Sequence, residues 1–129
     1  MDHVLDHAQE RRASRPPPLL RAGFHPGSDH PDGAVVVRLQ GELDMATAPQ
    51  LRRVLDAALD ARPAELAVDL QDLTFADSTG IRVLLEASRR AQDAGCSLVL
   101  RSPRRSVRKA LRLTGMDQLV DVELQPPPA

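Results

Sequence analysis

The sequence predicts an α/β fold, a mixed β-sheet with helices packed against it. Three observations predict this. Short apolar runs rich in β-branched residues alternate with longer segments whose apolar residues recur at helical spacing. The order reads β-β-α-β-α-β-α-β, which calls for parallel crossovers after an initial hairpin. Glycine- and proline-rich breakers fall between the runs. With 129 residues, 42% of them hydrophobic, the chain suits one domain with a real core.

Residues 1–18 are polar and charged and end in Pro16-Pro17-Pro18, which stops any helix and favours an extended path. They are expected to form an N-terminal extension outside the domain. His3 and His7 stand four apart, a spacing that some metal ligands use, but no third ligand accompanies them and no metal site is expected. Residues 19–24 read as a first strand. The segment 25–33, which includes His25 and His30, is a breaker-rich turn with solvated histidines. Residues 34–40 are a β-branched strand ending at Gly41, so the two strands form a hairpin.

Leu51, Val54, Leu55, Ala58 and Leu59 keep helical spacing, which predicts a helix over 48–61. Thr47 is its expected N-cap, Pro49 fits the first turn and Pro63 lies beyond the end. Residues 65–70 form the next strand. A helix over 78–93 places Ile81, Leu84, Leu85 and Ser88 on one face and stops before Gly95. A strand over 97–101 follows. Pro103 then opens a third helix, with Val107, Ala110, Leu111 and Thr114 on one face, which Gly115 ends. A last strand is expected over 119–124, and residues 125–129, with three prolines, form a disordered tail.

Composition excludes several functions. Phe24 and Phe75 are the sole aromatics, so the core is aliphatic and the stacking platforms of single-stranded nucleic-acid binders are missing. The net charge of −1 selects no polyanionic partner. Cys96 is the one cysteine, which rules out an internal disulfide, and it reads as a small buried hydrophobe. No run approaches the length of a membrane span and the N-terminus lacks a signal-peptide core, so a cytoplasmic location with no membrane partner is expected. No G-x-G-x-x-G, P-loop or G-x-S-x-G pattern appears. Every histidine lies at or before His30, which leaves Ser78 without a nearby base in sequence. Asp77-Ser78-Thr79-Gly80 differs in spacing from the Asp-Thr-Gly of aspartic proteases and has no second copy. The chain is therefore expected not to be an enzyme and to carry no cofactor. Nothing demands more than a monomer.

The stretch around which the chain is organised runs from a strand into Asp77-Ser78-Thr79-Gly80 and the helix beyond. A helix start carries backbone N–H groups without intrahelical partners and the positive end of the dipole. Capping is the ordinary role of Asp, Ser and Thr at such a place. A phosphoryl group on the hydroxyl would also be well placed there. The residues alone leave both readings open.

This stretch resembles the phosphorylation site of the STAS domain family, in particular of bacterial anti-sigma factor antagonists. Gly41-Glu42-Leu43-Asp44, followed by Thr47-Ala48, is similar to the family's other recurring segment and lies in the expected order. The resemblance covers residues 19–124 and implies a single STAS-like domain with its helices mainly on one face of the sheet. It implies Ser78 as phosphate acceptor, with Asp44, Asp77, Thr79 and Gly80 as the surrounding switch region. Gly80 would keep the helix start uncrowded for an approaching partner, and Asp44 is either a switch residue or a helix-entry cap. The implied partners are an anti-sigma factor that is also a serine kinase and a phosphatase that resets the cycle. The implied alternative is a constitutive, unphosphorylated scaffold subunit of a signalling or lipid-transport complex. Arg101, Arg104, Arg105, Arg108, Lys109 and Arg112 gather around the third helix. They read as a solvated face or as an electrostatic aid to partner docking, with nucleic-acid binding disfavoured.

Overall fold

The computed structural model describes residues 20–26 and 34–124. The expected extension over 1–18, most of the turn over 25–33 and the tail over 125–129 lie outside the described residues. In chain order the elements are β1 (Leu20–Pro26), β2 (Ala34–Leu43), α1 (Ala48–Asp60), β3 (Glu65–Ala76), α2 (Ser78–Asp93), β4 (Ser97–Arg101), α3 (Arg105–Leu113) and β5 (Asp121–Glu123), with a 3-10 turn at Met116–Gln118.

The five strands lie in the order β1-β2-β3-β4-β5. β1 is antiparallel to β2, and each later pair is parallel. Each crossover therefore steps one strand in the same direction. Right-handed connections that all step one way bring their helices to the same face of the sheet. Burial agrees. Leu51, Leu55, Leu84, Ala87, Val107 and Leu111 from the helices share one aliphatic core with Val37, Val68 and Leu100 from the strands. The opposite face carries a charged row, Arg38↔Asp69↔Arg101↔Glu123, in register across four strands. Ion pairs along it measure 3.9 Å for Arg38–Asp69 and 3.5 Å for Arg101–Glu123. Such partly exposed pairs add little stability each. They make this row polar, while Ala67 and Val99, two positions back on the same face, are buried apart from the main core on the helical face.

The mixed sheet with helices on one face matches the expectation, but the bounds of several elements differ. β3 was expected over 65–70 and runs on to Ala76. Its register against β2 shifts twice, between Arg38 and Gln40 and between Gly41 and Glu42, and each shift adds a residue on β3. The inward residues Leu70, Leu73 and Ala76 are consequently spaced by three, which hides the strand from a period of two. β2 likewise passes through Gly41, whose φ of 112° accommodates the irregularity. The third helix begins at Arg105 rather than at Pro103. The last strand shrinks to three residues because Leu119 closes the 3-10 turn. The long β2–β3 pairing has a structural consequence: both strands finish together, Leu43 opposite Ala76.

Candidate functional site

The site is built where those two strands end. Asp77 is the single residue between β3 and α2. Its extended backbone (φ −100°, ψ 177°) lets the carboxylate Oδ1 accept the Gly80 N–H at 2.9 Å. This is an N-cap bond, and it satisfies one of the orphan donors of the helix. The Asp77 N–H donates to the Leu43 carbonyl at 3.0 Å, which ties the start of α2 to the end of β2. Gly80 is buried against Leu43, so the room left by its missing side chain is taken by Leu43 and not by an outside molecule.

Ser78 is the first residue of α2. It is exposed, as is Thr79, and its hydroxyl makes no hydrogen bond among the described residues. The cap is supplied by Asp77, one position earlier, so the hydroxyl is left over.

The neighbouring loop is held by its own bonds. Asp44 Oδ1 accepts the N–H groups of Ala46 at 2.9 Å and Thr47 at 3.0 Å. The Thr47 hydroxyl donates to the Glu42 carbonyl and accepts the Asp44 N–H, both at 2.9 Å. Thr47 was expected to cap α1. It does stand at the N-cap position, but its backbone is already helical (φ −97°, ψ −13°) and its side chain makes no cap bond. Its hydroxyl is buried and spent on closing the loop, with Asp44 as its counterpart. The structure thus brings the Asp44 loop and the Asp77–Gly80 turn side by side through the Asp77–Leu43 bond.

Three further residues of these elements were not singled out by the sequence. Met45, at the loop tip, is 75% exposed, and Phe75, at the end of β3, is 48% exposed. Arg82 lies four residues after Ser78 on α2, and the two line one cavity of about 330 Å³ together with Leu85, Met116 and Leu119. The available signals were an apolar residue within a polar loop for Met45 and the four-residue helical spacing for Arg82.

Elsewhere, Cys96 is buried, and burial pushes its thiol above the ordinary range against the opposing effect of the Leu66 backbone hydrogen bond. Among the described residues no group of three His, Cys, Asp or Glu side chains stands together to hold a metal ion, and no helix is long and apolar enough to cross a membrane. The arrangement leaves the Ser78 hydroxyl exposed and unbonded at the start of α2.

A family model described as "Mlab, STAS domain" matches residues 27–121. The anti-sigma-B factor antagonist of Bacillus subtilis (strain 168) is 30% identical over 88 residues, which are 68% of this chain and 80% of that relative. The crystal structure of an anti-sigma factor antagonist from Mycobacterium paratuberculosis superposes with a TM-score of 0.70 at 30% identity, covering 85% of this chain and 90% of the other. The Bacillus cell fate determinant SpoIIAA in its phosphorylated form superposes with a TM-score of 0.56 at 25% identity, covering 78% and 90%.

Proposed function

The chain belongs to the STAS domain family, and on that premise we propose that it is an anti-sigma factor antagonist switched at Ser78. Unphosphorylated, it binds an anti-sigma factor that is also a serine kinase. Phosphorylated, it leaves that partner. The observation that carries the reading is the division of labour at the helix start: Asp77 caps Gly80 while the Ser78 hydroxyl stays exposed and uncommitted. The relatives named as anti-sigma factor antagonists, and the related SpoIIAA solved in a phosphorylated form, support it.

The chemistry is a phosphoryl transfer in which this chain is the substrate. The Ser78 oxygen forms a bond to the γ-phosphorus of ATP, the bond to the ADP oxygen breaks, and the kinase takes the hydroxyl proton. The product carries about −1.5 to −2 charges at neutral pH. The α2 N-terminus favours that charge, and Arg82 stands four residues on to pair with it, so the fold survives. A partner docked on Met45, Phe75 and the acidic loop meets a new doubly charged group and its water. Desolvating that group costs more than the contact returns. A serine phosphatase restores the hydroxyl. Catalysis belongs to the partners, and the chain acts as a monomeric binding module that needs neither nucleic acid nor membrane.

The test uses the protein from its own host in two growth states, with intact mass and site mapping, followed by binding to the kinase captured on Ser78→Ala. Ser78→Ala should hold the partner in the presence of ATP, and Ser78→Asp should bind it weakly. Equal binding by Ser78→Asp and the native chain overturns the charge switch. Protein unmodified in both states and resistant to host lysate with ATP and Mg²⁺ supports the constitutive scaffold instead. Phosphate on Thr79 keeps the mechanism and moves the acceptor by one residue.

A further inference from the structure

The basic residues around α3 divide into two groups. Arg101 pairs with Glu65 and Glu123, and Arg104 donates to the Gln71 carbonyl at 2.7 Å and faces Asp72. Both serve the fold. Arg105, Arg108, Lys109 and Arg112 form no ion pair among the described residues. Their spacing of three, four and seven residues places all four on one exposed helical face. Like charges at that spacing repel and weaken the helix slightly.

The four cations line a groove of about 690 Å³ between α3 and β5. Its apolar lining is Leu111, Val122 and Leu124, and Asp117 is the one carboxylate lining it among the described residues. The far side of the groove is a sheet edge. β5 pairs with β4 and has no strand on its other side among the described residues. An edge strand offers unpaired N–H and C=O groups to an incoming extended chain. Val122 shares the register position of the buried Leu100, so its side of the strand faces the helices and the groove.

We propose that this groove binds an extended acidic segment of a partner protein, which lies beside β5 as a sixth strand. Every second side chain of such a segment would turn toward the groove. Carboxylates among those side chains meet the α3 cations, and apolar ones cover Val122 and Leu124. Charge complementarity selects an acidic occupant, and the open backbone edge selects a peptide over another polyanion. Residues 125–129 follow Leu124 directly but carry no acidic side chain, and three of the five are prolines without an N–H, so they match the features poorly. Ser78 does not line this groove. The surface is thus a second docking site, independent of the phosphorylation switch.

The full chain is titrated with a fluorescein-labelled peptide of about ten residues that alternates Glu and Val, read by fluorescence anisotropy and by amide NMR shifts. Binding tighter than about 1 mM is expected, with shifts at Val122 and Leu124 and along α3. Arg108→Glu with Arg112→Glu should weaken it about tenfold or more. The same peptide N-methylated at alternate residues should also lose about tenfold on the native chain, because one edge of its backbone can no longer donate. Ser78→Asp should leave the affinity unchanged. The proposal is overturned if no binding is seen at about 1 mM or if the N-methylated peptide binds equally well. It is also overturned if a duplex DNA oligonucleotide or phosphatidylglycerol vesicles bind more tightly than the peptide through the same arginines.

Discussion

A β carbon on Gly80 would lie 2.3 Å from Leu43 Cγ and 3.0 Å from the Leu43 carbonyl oxygen. Leu43 is fully buried, and its carbonyl already accepts the Asp77 N–H, so neither atom can withdraw without disturbing the core or the loop junction. In an open helical turn, Gly→Ala would stabilise by up to about 1 kcal/mol. Here the sign reverses. Gly80→Ala is expected to cost about 1–3 kcal/mol by overpacking, measured by urea denaturation. Adding Leu43→Ala should recover part of that cost, giving a coupling of about 1 kcal/mol in a double-mutant cycle. Purely additive effects would place the strain elsewhere.

Thr47 gives a second test of how the site is held. Thr47→Val keeps the shape but removes the hydroxyl shared by the Glu42 carbonyl and the Asp44 N–H. Two part-buried backbone groups lose this partner, which is expected to cost about 1–2 kcal/mol. Thr47→Ser keeps both bonds, loses a methyl group and should cost under about 1 kcal/mol. Chemical denaturation of the two variants checks the order. A cost for Thr47→Ser equal to that for Thr47→Val would assign the role to the methyl.

The contrast between Thr47 and Ser78 shows what the sequence carries. The order of elements was legible because apolar spacing changes cleanly between strands and helices, and α2 was expected over the residues it occupies. The second half of β3 was not legible, because two added residues shift Leu70, Leu73 and Ala76 out of alternation. The Asp77-Ser78-Thr79 cluster marked the helix start but left open which residue caps it. That depends on one backbone angle, the extended ψ of Asp77, which a residue list does not encode. Thr47 likewise closes the loop with Asp44 instead of capping α1, because its backbone is already helical. Arg82 is found beside Ser78 through the cavity that both line.

Cys96 gives a prediction in pH. Its side chain is buried and its thiol is pushed up by that burial. A folded pKa above the unfolded one means that the unfolded chain loses its proton first as pH rises. The stability is therefore intact below about pH 8.5, the range in which an exposed thiol ionises, and falls as pH climbs beyond it. Cys96→Ala should flatten that alkaline limb in urea melts taken across the range. A thiol reagent at about pH 8 should label the native chain much more slowly than the urea-unfolded chain. Equal labelling rates would show that the site opens readily.

Asp77 separates capping from charge. Asp77→Asn keeps an oxygen able to accept the Gly80 N–H, so its stability should stay within about 0.5 kcal/mol of the native chain. Asp77→Ala has no such oxygen and should lose about 1 kcal/mol, with faster hydrogen exchange at the Gly80 amide. The two variants differ again once Ser78 carries phosphate. In the native chain the phosphate is favoured by the helix N-terminus and Arg82 but opposed by the carboxylate next to it. Asp77→Asn removes that opposition and keeps the cap. Phosphorylation should then raise the melting temperature of Asp77→Asn by more than it raises that of the native chain. An identical shift in both would mean that the Asp77 carboxylate and the phosphate are effectively screened from each other by solvent. The repulsion felt by the partner would then have to come from the phosphate alone.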